Sequence, residues 1–167
     1  MKLKIVAAAA VLALVLALAG AFLFAQRTAA PDVAFTTLGG QTFRTADLRG
    51  QVVLVNFWAT SCSSCIKEMP ALRRMQQTFQ ARGYQTVAVA MEYDPPARVA
   101  ALMVRGDLPF TFVLDHNGHI ARSFGDVRLT PTSFLLNRRG EIVHKIVGQP
   151  DFDKLHALID ELLTEPT

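Results

Sequence analysis

Between residues 52 and 91 the chain changes hydrophobic period twice, and that narrows what it can fold into more than any other feature. VVLVNFW, residues 52–58, is apolar everywhere except Asn56. A strand with one wet face would alternate; this one does not, so it reads as a central parallel strand buried on both faces. After it, Ile66, Met69, Leu72, Met75 and Phe79 recur every three to four residues, with Lys67, Arg73, Arg74, Gln76 and Gln77 between them. That spacing predicts an amphipathic helix ending near Gly83, which Pro70 should kink. YQTVAVAM, residues 84–91, returns to a buried strand. Strand, helix and strand in this order predict a right-handed parallel crossover.

The flanking segments fill out an α/β domain. Residues 33–43 read as two short extended pieces around Gly39-Gly40, a hairpin signal. Residues 44–50 read as one helical turn ending at a glycine. Asp94-Pro95-Pro96 opens a helix to about Arg105, residues 110–114 form a strand, and residues 120–124 a helical turn. TSFLLN after Pro131 and EIVHKIVG after a turn at 137–140 predict an antiparallel hairpin. Phe152, Leu155, Leu158, Ile159 and Leu162 predict a closing helix with Asp151 as N-cap. The sum is a mixed central sheet flanked by helices, with residues 32–167 forming one domain.

The amino terminus is a separate object. Lys2 and Lys4 precede an uncharged apolar run, residues 5–25. As a helix it would span roughly 31 Å, close to a bilayer core. Residues 1–26 therefore read as a signal-anchor helix, followed by a tether at 27–31; Ala19 and Ala21 leave cleavage open as the alternative. Basic residues before the run favour a cytoplasmic amino terminus and an exported body. Lys2, Lys4 and Arg27 account for the whole net charge of +3. The remaining body is neutral, and Arg73–Arg74 and Arg138–Arg139 are too short to make a phosphate-binding stripe, so nucleic acid is not an expected partner.

Cys62 and Cys65 are the only cysteines. They sit where the central strand gives way to the helix. Unpaired N–H groups and the dipole at a helix amino terminus stabilise a thiolate. Cys65, three residues on, shares the face of the first turn, at a separation suited to a disulfide. One thiolate can then attack a partner's disulfide and the other resolve the mixed disulfide. Ser61, Ser63 and Ser64 leave the sulfur accessible. A zinc site needs further ligands, and His116, His119, His144 and His156 are scattered along the chain. An inert disulfide stays open as a reading, although so short a link constrains the unfolded chain little.

Taken together, these segments resemble the TlpA/ResA-like membrane-anchored thiol–disulfide oxidoreductases of thioredoxin fold. VVLVNFWATSCSSC resembles that family's strand and active-site stretch, Pro70 its helix proline, and LTPTSFLLNRRGEIV its cis-proline strand and hairpin. The segment between Met91 and Pro131 resembles the family's central insertion. The resemblance covers roughly residues 32–164. It implies a cis bond between Thr130 and Pro131, with the Thr130 backbone open to a bound substrate. Plain thioredoxins carry a buried aspartate where Asn56 stands here. Glu68 follows Cys65 by three residues on the same helix face; partly buried, it would have a raised pKa and could accept the Cys65 proton. A solvated helix glutamate is the alternative, and Glu92 is a weaker candidate. Two departures are Ser63-Ser64, without the family's proline, and Ser61 in place of an aromatic.

The expected function is an anchored, extracytoplasmic reductase of protein disulfides in the periplasm or its equivalent. Cys62 is the nucleophile, Cys65 resolves, Glu68 assists, Pro131 shapes the groove, and Trp58 and Thr130 are candidate substrate contacts. No cofactor or metal is needed, and the protein is expected to act as a monomer. The resemblance implies clients such as apocytochrome c or copper-site assembly proteins, with electrons from a membrane thiol carrier. The rivals are a peroxiredoxin-like peroxidase, suggested by Thr60–Cys62, a copper metallochaperone holding the metal on both thiolates, and a non-enzymatic binding module.

Overall fold

The computed structural model describes residues 14–15 and 28–165. Among the described residues, eight strands make two sheets. Six of them, in the order β1-β8-β7-β4-β5-β6, form the main sheet, and β2-β3 form a separate hairpin. The strands are β1 (Thr28–Ala29), β2 (Ala34–Thr36), β3 (Thr42–Arg44), β4 (Val52–Trp58), β5 (Tyr84–Ala90), β6 (Thr111–Leu114), β7 (Thr132–Leu136) and β8 (Glu141–Val147). The helices are α1 (Ser63–Phe79), α2 (Pro96–Gly106), α3 (His119–Ser123) and α4 (Phe152–Leu162), with a 3-10 turn at Thr45–Leu48.

β4 is fully buried along its length, as its unbroken apolar run requires. It pairs parallel with β5 and antiparallel with β7, so the sheet is mixed. Side chains alternate across the sheet and split the core in two. Val52, Leu54 and Trp58 pack under α1 and α4 with Leu72, Phe79, Leu135 and Ile159. Val53, Val55 and Phe57 face the other way, against Phe35, Ile120, Phe124 and Phe134. Cover on this second face comes from the β2–β3 hairpin, the 3-10 turn and the short α3 rather than from a long helix. A single bridge, Thr37 to Val113, ties the hairpin to β6.

The segment between Met91 and Pro131 contributes α2, β6 and α3. Asp115 organises it: its buried carboxylate accepts the amides of Ile120 and Ala121 at 3.1 and 2.8 Å, at the start of α3. Asp151 caps α4 by accepting from the Lys154 amide, which holds its carboxyl below the usual carboxylate range.

One local reading needs correction. Residues 28–29, assigned to the tether, form β1 and pair with Ile142 and Glu141 of β8. Backbone pairing at a sheet edge needs no side-chain pattern, so two residues gave no period to read. Separately, α1 runs from Ser63 to Phe79 with Pro70 inside it. The lost amide bond there is tolerated in a helix held along its length by Met69, Leu72, Met75 and Phe79. The expected anchor, residues 1–26, lies outside the described residues apart from 14 and 15. Among the described residues no helix is long and apolar enough to cross a membrane.

Candidate active site

The site forms where β4 ends. Ala59 to Ser61 turn the chain, and Cys62 becomes the N-cap of α1. Its Sγ accepts the backbone amide of Cys65 at 3.2 Å. The sulfur therefore stands where an Asp or Ser side chain would satisfy a helix's orphan N–H groups. Cys62 and Cys65 are joined as a disulfide with Cα atoms 5.3 Å apart, within the usual range. Cys62 is half-buried and Cys65 fully buried, so the outer sulfur is the one a partner can reach. The Ser64 hydroxyl lies 3.4 Å from the Cys62 sulfur.

The approach loop is clamped from the insertion. The buried carboxylate of Asp94 accepts the Thr60 amide at 2.6 Å and also the Thr60 hydroxyl. On the other side, the Gln149 side-chain amide donates to the Ser64 carbonyl at 3.2 Å. Both ends of the CxxC turn are thus tied to segments distant in sequence.

Beneath the disulfide lies a polar group in an apolar setting. Glu68 is 1% exposed and Asn56 is equally buried. Asn56 Nδ2 donates to Glu68 Oε1 at 3.0 Å and to Ser133 Oγ at 2.9 Å. Register explains the meeting: Asn56 of β4 pairs directly with Ser133 of β7, and both point at α1. Glu68 Oε2 and Asn56 Oδ1 are shielded and have no partner among the described residues. Burial pushes the Glu68 carboxyl up to about 7, with the Asn56 hydrogen bond opposing the shift. A carboxyl poised near neutrality can take a proton and return it at little cost. The charged-face reading of Glu68 does not fit this burial.

Pro131 is buried at the start of β7, and the Thr130–Pro131 bond is cis. Thr132 pairs with Phe57, so Pro131 lies at the end of the sheet from which the CxxC turn departs. Its carbonyl accepts from the Gly148 amide at 2.8 Å. Trp58, read above as a candidate substrate contact, is fully buried and packs edge-on against Phe112. It has no surface to offer a client; the large ring fills the core beside α1. Glu92 is exposed, as are His116, His119, His144 and His156. Among the described residues no three His, Cys, Asp or Glu side chains are grouped in a way that could hold a metal ion.

The sequence reading left three contributors without a role: Ser133, the Thr60–Asp94 clamp and Gln149. Asn56 carried a usable signal, since a lone amide inside an apolar strand must find partners. The clamp carried none, because Asp94 also fits an ordinary helix start.

Similarity to known proteins decides the affiliation. The Redoxin family matches residues 25–159. The chain belongs to that family. It is 32% identical over 131 residues to the thiol-disulfide oxidoreductase ResA of Geobacillus thermodenitrificans, spanning 75% of this chain and 74% of that protein. A Neisseria meningitidis protein described as a thioredoxin, solved in solution, matches at TM-score 0.75 and 38% identity over 81% of this chain and 89% of its own. A thiol:disulfide interchange protein of Chlorobium tepidum matches at TM-score 0.75 and 26% identity, over 83% and 97%. This Redoxin protein is a thiol–disulfide oxidoreductase with a thioredoxin-like fold, and its CxxC pair is Cys62 and Cys65.

The Glu68 environment has a consequence for stability. Its folded pKa, about 7, exceeds the ordinary 4.5. Between those values the folded form holds a proton that the unfolded chain releases. Stability therefore falls as pH rises through this window and levels off above it. Glutamine has no charge to bury. Glu68→Gln in the oxidised protein should exceed the parent's stability by about 2–3 kcal/mol near pH 8, and by little near pH 4.5. Urea unfolding at the two pH values measures this; a difference independent of pH would contradict the assignment.

Proposed function

We propose that this oxidoreductase works as a membrane-anchored, extracytoplasmic reductase of protein disulfides. The observation that supports it best is the pairing of a half-exposed sulfur at the mouth of α1 with a buried carboxyl near neutrality on the same helix. The apolar run at residues 5–25, with Lys2 and Lys4 before it, supports the anchor and its orientation.

In the reduced protein, the Cys62 thiolate attacks one sulfur of a client disulfide. The Cys62–client bond forms, the client S–S bond breaks, and the displaced client sulfur leaves as a thiolate. Cys65 then gives its proton to Glu68 and attacks Cys62 Sγ. The Cys62–Cys65 bond forms, the Cys62–client bond breaks, and the second client sulfur departs as a thiolate. Glu68, three residues after Cys65 on α1 and buried, serves as the proton acceptor, with Asn56 donating to its carboxylate and Ser133 in turn accepting from Asn56. Thr130 and Pro131, at the same end of the sheet, form the wall along which the client backbone lies. A membrane thiol carrier restores the two electrons, so no cofactor takes part. Clients are exported proteins whose thiols must stay free in an oxidising space, such as apocytochrome c or copper-site assembly proteins. The protein acts as a monomer.

Cys65→Ser should accumulate a client–Cys62 mixed disulfide visible on non-reducing gels, since nothing resolves it. Recovery of no such species would contradict the two-step exchange. Glu68→Gln should slow the resolving step by about 10²-fold near neutral pH, with the deficit shrinking as pH rises and hydroxide takes the proton. Direction is read separately from the Cys62–Cys65 potential. A value near about −270 mV supports a reductase, and one near about −120 mV would make it an oxidant.

A further inference from the structure

α1 carries a second feature that the exchange chemistry does not use. Cys62, Ile66, Met69 and Arg73 fall at helical spacing, so one stripe runs down the helix from the accessible sulfur. Along it lies a groove of about 260 Å³ between α1 and the insertion. Ile66, Met69 and Pro70 form one wall, Leu102 and Leu108 the other, and Arg73 stands at the far end. Ile66, one turn after Cys62 on this stripe, lines the groove, so the groove opens one helical turn from the sulfur. Arg73 Nε is shielded from solvent without an acceptor, and no carboxylate among the described residues pairs with this guanidinium.

We infer that this groove is a client-selecting subsite that takes an extended polypeptide, with an apolar side chain against Ile66 and Pro70 and a carboxylate on Arg73. The inference rests on the reading of Cys62 as the attacking sulfur. Apolar walls favour an apolar side chain. The unmatched guanidinium favours a carboxylate, which supplies both the missing acceptor and the opposite charge. Geometry sets the spacing. From Cys62 to Arg73 the helix rises about 16 Å. A strand covers that distance in about five residues. A preferred client therefore carries its apolar residue two to four positions from the reacting cysteine and its acid about five positions away. A small disulfide cannot span the two.

The test uses the reduced full-length protein and synthetic peptides in which one cysteine is capped as a mixed disulfide. Leucine stands three positions from the cysteine and aspartate five, in two series placed before and after it. Control peptides replace leucine by serine, or aspartate by lysine. In one of the two directions, the leucine–aspartate peptide should react at least about tenfold faster than either control. Arg73→Glu should reverse the preference between the aspartate and lysine peptides, and Leu102→Gln should reduce the preference for leucine over serine. Each variant is read as a ratio of its own peptide rates, so a lower overall rate does not obscure the result. Reaction of the unaltered protein with neutral 2-hydroxyethyl disulfide reads the thiol chemistry alone, and its absence would overturn the exchange reading itself. If that reaction proceeds while peptide rates ignore leucine, aspartate and the Arg73 charge in both series, the groove is not a subsite.

Discussion

The hydrogen bond from the Cys65 amide to the Cys62 sulfur fixes everything else in this site. It makes a sulfur the cap of a 17-residue helix. A capping group sees the orphan amides and the positive end of the helix dipole together, and both favour negative charge on the atom that faces them. The fold supplies this arrangement through β4. A strand buried on both faces cannot drift, and its last residue sets where the helix begins. Asp94 and Gln149 then pin the turn from either side, so the sulfur is held by distant parts of the chain rather than by its small neighbours.

The same strand anchors the buried carboxyl of Glu68. Asn56 interrupts an apolar run in order to face α1, and its amide links Glu68 to Ser133 across the β4–β7 pair. An aspartate at this position would itself be a buried acid. With asparagine there, the titratable function moves to the helix, one turn from Cys65. The amide stabilises the ionised form of Glu68 while burial opposes it, and burial prevails. That balance leaves the carboxyl near neutrality rather than locked in either state. Cys62 as the cap, and Cys65 and Glu68 on the first two turns, place both thiols and the buried carboxyl on one helix.

The elements with strong periods were legible in the sequence: β4, α1, β5, the β7–β8 hairpin and α4 all stand where their patterns placed them. The burial of Glu68 was legible as well, because it shares the Cys65 face at i+3 beside apolar Met69 and Leu72. What escaped detection depends on pairing between distant segments. β1 is two residues of edge pairing. Ser133 meets Asn56 only because β7 lies antiparallel to β4 in a particular register, and register leaves no trace in either segment alone. Asp94 reads as a helix start until the Thr60 amide is seen to point at it. Trp58 shows the converse: it adjoins the site in sequence, but strand alternation turns it into the core. The cis bond before Pro131 came from family resemblance, since the residues by themselves favour trans.

If the helix mouth governs the chemistry, the Cys62 thiol should ionise more easily than a free one. The most direct measurement is the rate of iodoacetamide alkylation at Cys62 in the reduced Cys65→Ser protein across pH, with adducts located by mass spectrometry. The account predicts a midpoint at least about one unit below the 8.5 or so of unperturbed cysteine. A midpoint at or above that value would show that the cap does not stabilise the thiolate, and the central claim would fail.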